Sequence, residues 1–283
     1  MPDRIRAAAV AGTWYPGTSD LLAAAVDGHL AAAGADASPL HHLAAIVAPH
    51  AGLMYSGPVA AYAYRELRNR PVDVAVLVGP SHFVPFDGVA VYPSGAFETP
   101  LGAFRVDEEC VSRLIDASPI VHAHDRAHVR EHALEMQLPF LHRVAPQVMI
   151  VPLLMGWQTR DTIHALAGAL GVALRGRRAL LVASTDLSHY QDARTATLLD
   201  AIVIDHVERF DPEGLQRALD ASPEHACGGG PLVSVMVAAR TLGARDAVVL
   251  RYGDSGDVSG DKTAVVGYLA AAFGTRQKGE AGA

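Results

Sequence analysis

Three short apolar segments, each followed closely by a histidine, constrain the fold of this chain more than any other feature. Each segment has the length and the apolar character of a strand buried within a sheet. The segments and their histidines are residues 43–47 with His50, residues 73–81 with His82, and residues 178–184 with His189. One such histidine is equally consistent with capping a strand end, but three that recur in this way predict a shared site.

The pattern between these segments predicts one α/β domain with a central, mostly parallel sheet flanked by helices. Strand-like segments alternate with helix-like segments along the chain, and no linker or repeat separates them. We expect this domain to span residues 1–274 and residues 275–283 to form a disordered tail. Two of the predicted helices, over residues 57–68 and 131–144, flank the strand ends that carry the histidines.

The composition argues against some classes of partner. The 283 residues include 23 Lys and Arg against 30 Asp and Glu, a net charge of −7, without a basic block. This balance disfavours nucleic acids and anionic membranes as partners. The two cysteines form no disulfide framework, and the sequence shows no signal peptide and no apolar segment of about 18 residues. We therefore expect a cytoplasmic protein, and its oligomeric state stays open.

A metal site is the first chemical interpretation of the recurring histidines. The sequence contains 14 histidines, and the candidate ligands are His50, His82 and Cys227. Two imidazoles and a thiolate suit iron, copper or zinc and leave a coordination position open for water or substrate. Cys227 precedes three glycines at a predicted helix N-terminus, where the helix dipole is expected to favour the thiolate. An ordinary buried cysteine is the competing interpretation.

Further polar residues are expected near this site. Asp186 and His189 follow the third strand, so His189 can act as a general acid or base while Asp186 orients it. An Asx turn with a solvated histidine explains the same residues without catalysis. Four residues are candidates for substrate contacts, and each is also explained by packing or capping: Trp14, Tyr55, His132 and Arg251.

With these residues assembled, the chain resembles the Memo family, whose bacterial branch is often named AmmeMemoRadiSam system protein B. The resemblance spans nearly the whole chain, because several separate motifs occur in the order found in the family. They are AGTWYPG (11–17), APHAGLMYSG (48–57), GPSHF (79–83), EHALEMQLPFL (131–141), STDLSHY (184–190), CGGGP (227–231) and RYGDSGD (251–257).

The resemblance implies a fold similar to that of the class III (LigB-type) extradiol dioxygenases, which bind non-haem Fe(II) through two histidines and a carboxylate. By this resemblance His50 and His82 fall on the two histidine ligands, and His189 falls on the catalytic histidine. Cys227 falls where those enzymes carry glutamate. A thiolate is softer than a carboxylate, favours copper or zinc more, and can itself be oxidised. The resemblance therefore implies metal binding without carrying over ring cleavage.

Three functional hypotheses follow. The first is a mononuclear iron or copper oxidoreductase with the metal on His50, His82 and Cys227, and with His189 and Asp186 handling protons. The second is a metal-free binding module, in which the glycine turn 228–230 holds a phosphorylated or carboxylate group of a small molecule or peptide. The eukaryotic members of the family that the chain resembles are linked to phosphotyrosine signalling and cell motility. The third is a hydrolase that uses zinc-activated water, or Cys227 as nucleophile with His189 as base.

Overall fold

The strands that end in histidines lie side by side in the middle of one sheet. A computed structural model describes residues 4–34 and 38–276. Its strands are Ile5–Arg6 (β1), Leu40–Ala48 (β2), Val74–Pro80 (β3), Val89–Val91 (β4), Ala96–Thr99 (β5), Gly102–Arg105 (β6), Val121–Ala123 (β7), Met149–Met155 (β8), Ala179–Ser184 (β9), His189–Gln191 (β10), Asp246–Asp254 (β11) and Val265–Arg276 (β12). Its helices are Ser19–Ala32 (α1), Leu53–Tyr64 (α2), Glu108–Ala117 (α3), Asp125–Val129 (α4), Leu138–Val144 (α5), Arg160–Ala173 (α6), Ala193–Glu208 (α7), Pro212–Ala221 (α8), Gly229–Thr241 (α9) and Gly256–Ser259 (α10).

The main sheet is parallel in its centre and antiparallel at several of its outer pairs. Across the described ranges it has nine strands in the order β10-β12-β2-β9-β3-β8-β4-β7, with β11 also paired to β12. The strands β2, β9, β3 and β8 run parallel, whereas β10, β11 and β2 pair antiparallel with β12, and β4 pairs antiparallel with β8. A small separate sheet contains β1, β5 and β6. The predicted α/β class is confirmed.

Helices cover both faces of the main sheet, which explains the unbroken apolar segments in the sequence. On one face α2 packs on β2, β11 and β12, and α1 and α5 pack with α2. On the other face α9 packs on β2, β3 and β9, with α6 and α8 beside it. Every residue of β3 is buried, because a central parallel strand has no face exposed to water.

The two helices predicted beside the strand ends begin elsewhere. α2 begins at Leu53 with Gly52 as its N-cap and has Pro58 in its interior, so the predicted start at residue 57 is wrong. Residues 131–132 have no regular structure and residues 133–134 form a turn, so the helix predicted from residue 131 begins later, and a short 3₁₀ helix precedes α5. The carboxylate of Glu131 accepts hydrogen bonds from the backbone of His132 and Ala133, which competes with helix formation at those residues.

The last strand is longer than expected. β12 continues through Arg276, beyond the predicted domain end at residue 274, and its final residues pair with β2. The rest of the predicted tail, residues 277–283, lies outside the described residues. None of the helices among the described residues combines the length and hydropathy needed to cross a bilayer.

Candidate metal centre

The register of the parallel strands brings the predicted site residues to one edge of the sheet. Ala48 of β2 lies opposite Ser184 of β9, so the residues that follow these two strands leave the sheet together. Two residues beyond the end of each strand, the backbone N–H of His50 donates to Oδ1 of Asp186 at 2.8 Å. β3, the neighbour of β9, delivers His82 to the same edge.

Three imidazoles converge at this edge. His50, His82 and His132 each offer a ring nitrogen, and the three nitrogens lie within 4.8 Å of one another. The ring centroids are 5.2 Å apart for His50 and His82 and 4.6 Å apart for His82 and His132. Among the described His, Cys, Asp and Glu residues, this is the group whose geometry can hold a metal ion. His132, which we had assigned to substrate contacts, is thus a member of the cluster.

His82 is the open side of the cluster. Its side chain is 28% exposed, and its Nδ1 lies 2.9 Å from Oε1 of Glu131. The backbone N–H of His82 donates to Oε2 of the same carboxylate at 2.6 Å. Burial alone would raise the pKa of Glu131, but the hydrogen bonds from His82 and from backbone amides outweigh it and bring the pKa to about 2. The ionised carboxylate requires Nδ1 of His82 to be the donor, and in the neutral ring Nε2 then carries the lone pair.

His50 is the closed side of the cluster. It is 1% exposed, and its Nδ1 lies 2.9 Å from Oγ of Ser184. Burial and, to a smaller extent, the neighbouring His82 lower the pKa of His50 to about 3, so the ring is neutral at physiological pH. A neutral imidazole with one nitrogen held by the protein is the form in which histidine binds a metal.

Cys227 contacts this closed side. Its Sγ lies 3.3 Å from Nε2 of His50 and accepts a hydrogen bond from the backbone N–H of Asp186 at 3.4 Å. The sulfur does not belong to the group of mutually close ligand atoms formed by the three histidines. Burial and the nearby Asp186 carboxylate raise the pKa of the Cys227 thiol to about 12. The expected lowering of this pKa is not found, because desolvation outweighs the hydrogen bonds that favour the thiolate.

The glycine turn after Cys227 does not offer free N–H groups to an anion. Gly228 N–H donates to Oγ1 of Thr185 at 2.9 Å, and Gly229 N–H donates to the carbonyl of Ala226 at 3.2 Å. Gly230 N–H donates to Oε1 of Gln158 at 2.7 Å, and the same side chain donates to the Cys227 carbonyl. All three donors are used within the protein, which removes the structural basis of the predicted anion site at this turn.

Asp186 and His189 do not form the acid–base pair expected from the sequence. Asp186 is buried, and its Oδ1 accepts from the backbone N–H groups of His50 and Ala51. Nδ1 of His189 lies 2.8 Å from the carbonyl of Leu187, an acceptor, so Nδ1 carries the proton and Nε2 is free. Asp186 therefore positions the strand end that carries His50. Nε2 of His189 keeps its lone pair. The carbonyl of Leu187, and not Asp186, orients the His189 ring.

The structure places the three remaining predicted contact residues, Trp14, Tyr55 and Arg251, differently. Trp14 packs on the cluster, with its ring centroid 4.1 Å from that of His132. Tyr55 is half-buried in the first turn of α2, three residues after Gly52. The guanidinium of Arg251, on β11, lies 5.6 Å from the ring centroid of Tyr62, and no contact within the described ranges links it to the histidines. The side chain of Arg251 is exposed, and its assignment to the site stays a prediction.

A cavity of about 680 Å³ lies beside the cluster and is lined by both His82 and Cys227. Phe83 and Trp157 contribute aromatic surface to its wall. Its size is within the range of small-molecule sites, and its wall is mainly apolar with a few polar groups. A small molecule in this cavity would lie between the open side of the cluster and the sulfur of Cys227.

The residues that hold the histidines in place were not predicted from the sequence. Glu131 is one of them, and it directly precedes His132 in a segment that we had predicted to be helical. Ser184 and Gln137 are two others, both fully buried and both hydrogen-bonded at the closed side. A buried Ser at the end of an apolar strand and a Gln among apolar residues were the available signals, because buried polar groups need partners.

Comparison with known proteins identifies relatives over nearly the whole chain. Residues 6–272 match the family described as Memo-like protein. A MEMO1 family protein of Methanothermobacter thermautotrophicus is 36% identical over 276 residues, which cover 93% of this chain and 98% of the relative. MEMO1 family proteins of Ignicoccus hospitalis and Nitrosopumilus maritimus are 36% and 32% identical, each over 95% of this chain and over 98% and 99% of their own.

A solved structure shares the fold. The crystal structure of an uncharacterized protein, JW3007, from Escherichia coli K12 aligns with a TM-score of 0.52 and 18% identity, over 80% of this chain and 99% of that chain. At this identity the likeness concerns the fold alone.

Proposed function

The chain belongs to the Memo-like protein family, and we propose that it binds one transition-metal ion in its cleft and supports a redox reaction there. The observation that carries this proposal is the convergence of His50, His82 and His132 from three separate segments of the chain. Two of these rings are held at Nδ1 by neighbouring side chains, so their Nε2 atoms remain available. This arrangement is typical of histidines that bind metals.

His50 and His82 are the two ligands common to the cluster and to the family resemblance. The third position has two contenders, His132, which belongs to the cluster, and Cys227, whose sulfur is 3.3 Å from Nε2 of His50. Nδ1 of His132 is buried 3.3 Å from Oε1 of Glu131, so the same carboxylate lies beside both His82 and His132. The donor set of imidazoles with a nearby thiol suits copper, iron or zinc.

Iron or copper, when bound, would supply one-electron redox chemistry at this position. The residues of the chain supply the remaining functions. His189 can accept or deliver a proton at Nε2, because Nδ1 is fixed on the Leu187 carbonyl. Trp14 packs on the ring of His132, and His82, which lines the cavity, gives a ligand access to the cluster.

Zinc-dependent hydrolysis is a second candidate, because three imidazoles are also a donor set of catalytic zinc. In that case His189 would serve as the base for a water molecule in the same cleft. The two candidates share the ligands and differ in whether the bound metal changes its oxidation state.

The experiment is metal analysis after anaerobic purification, followed by protein-film voltammetry. We expect stoichiometric metal in the wild type and in His164→Ala, which removes an exposed histidine of α6. We expect loss of metal in His50→Ala and in His82→Ala, and the greater loss between His132→Ala and Cys227→Ala identifies the third ligand. A reversible redox couple of the bound metal that is absent from His50→Ala supports redox chemistry. Bound zinc with no redox couple in the voltammogram supports hydrolysis. Metal retained in both His50→Ala and His82→Ala would contradict the proposal.

A further inference from the structure

The hydrogen bonds of Ser184 have only one consistent arrangement. Three groups lie within hydrogen-bond distance of its Oγ: the Ala133 carbonyl at 2.7 Å, Nε2 of Gln137 at 2.9 Å and Nδ1 of His50 at 2.9 Å. A carbonyl oxygen can only accept, so the single hydroxyl proton of Ser184 goes to Ala133. The two lone pairs of Oγ are then left to accept from the other two groups.

The orientation of the Gln137 amide is fixed independently. Nε2 of Gln137 also lies 3.1 Å from the carbonyl of Pro49, which can only accept, so the amide nitrogen must face it. Oε1 then accepts from the hydroxyl of Tyr64 at 2.8 Å. Gln137 therefore donates to Ser184, and the last lone pair of Ser184 can be satisfied only by an N–H on Nδ1 of His50.

We propose that Ser184 and Gln137 are positioning residues that fix the tautomer of His50, with the proton on Nδ1 and the lone pair on Nε2, before any metal binds. Tyr64, Gln137 and Ser184 are fully buried, so no water competes for these hydrogen bonds. The Nε2 lone pair faces the sulfur of Cys227 at 3.3 Å, and in the metal-free protein the thiol donates to it. Binding a metal at Nε2 replaces that S–H···N hydrogen bond.

The relevance of this tautomer to a metal rests on the proposed function, but the tautomer itself can be measured without one. Long-range ¹H–¹⁵N correlation spectra of the chelator-treated protein distinguish a protonated from an unprotonated ring nitrogen, and the His50→Ala spectrum assigns the signals. We expect a protonated Nδ1 and an unprotonated Nε2 for His50. A protonated Nε2 in the wild type would overturn the inference without the use of any further variant.

Ser184→Ala tests the positioning role, with Ser234→Ala as its matched control. Ser234 is equally buried, and its hydroxyl donates to the Ile163 carbonyl of α6. We expect the Ser184 variant to populate the Nε2–H form and to bind Fe²⁺ roughly 10- to 100-fold more weakly under anaerobic conditions, and the control to match the wild type. An unchanged His50 spectrum in Ser184→Ala would overturn the role of Ser184. If the wild type binds none of Fe²⁺, Cu⁺ and Zn²⁺, the proposed function fails, and the spectra alone decide the tautomer.

Discussion

The two sides of the histidine cluster are held by different physical means. On the open side, the ionised Glu131 holds His82, whose side chain is 28% exposed. On the closed side, neutral groups hold the ring of His50, which is buried: the hydroxyl of Ser184, the amide of Gln137 and the phenol of Tyr64. The Glu131 carboxylate is itself buried, and the N–H donors of His82, His132 and Ala133 offset the desolvation of its charge. The comparison shows two ways to fix a histidine tautomer. One is a charged acceptor beside the ring, and the other is a neutral network whose remaining acceptor can be satisfied only by an N–H of the ring.

The largest effect is expected on the open side. Glu131→Gln removes the charge from a carboxylate that accepts from Nδ1 of His82 and from the backbone of His82, His132 and Ala133. We expect a loss of about 3 kcal/mol in the free energy of unfolding, because an amide cannot accept from all of these donors. Urea denaturation measures the loss, and Glu98→Gln, at an exposed site on β5, should change little. Equal stability of the two variants would mean that charge does not hold the open side.

The next effect concerns the approach of the Cys227 loop to the closed side. A Cβ on Gly228 would lie 2.5 Å from the Ser184 carbonyl oxygen and 2.8 Å from Cβ of Thr185. We expect Gly228→Ala to cost about 2 kcal/mol and to separate Cys227 from His50, because backbone must move to relieve the overlap. Gly168→Ala is the matched control, since a Cβ there meets nothing within 4 Å. Its free energy of unfolding should stay the same or rise, and a similar loss in both variants would contradict the close approach.

A third test compares a buried histidine with an exposed one. Both ring nitrogens of His128 are buried without a hydrogen-bond partner among the described residues, and burial lowers the pKa of His128 to about 3. The unfolded chain binds a proton near the ordinary pKa of about 6.5, so stability falls as the pH drops from there toward 3. We expect His128→Leu to reduce that slope by about 1.4 kcal/mol per pH unit. Denaturation between pH 7 and pH 5 measures it, and His164→Leu should keep the wild-type slope.

The smallest effect is expected at the far end of the neutral network. Tyr64→Phe removes the hydroxyl that donates to Oε1 of Gln137 at 2.8 Å and leaves that oxygen without this donor. We expect a loss of about 1 kcal/mol, and the tautomer of His50 should persist because Ser184 and Gln137 remain. Tyr190→Phe, at a residue that is 76% exposed, is the control. A loss of stability in Tyr64→Phe no larger than in the control would show that the phenol is not part of the network.

The sequence was sufficient for the features that depend on local pattern. Unbroken apolar segments predicted the central strands, and the breaks after them located His50 and His82 at one edge of the sheet. The helix-like spacing after Glu131 was misleading, because a side chain bonded to the backbone two residues ahead competes with the helix. The roles of Glu131, Ser184 and His132 depend on contacts between distant segments, which periodicity does not encode.

X-ray absorption at the zinc edge tests most directly whether one metal ion is coordinated by imidazole nitrogens in this cleft. We predict that zinc-loaded protein shows at least two imidazole nitrogens at about 2.0–2.1 Å, and that this signal is lost in His50→Ala. A sulfur at about 2.3 Å, absent from Cys227→Ala, would assign the third position to the thiol. A spectrum with oxygen neighbours alone, or one unchanged in His50→Ala, would contradict the account.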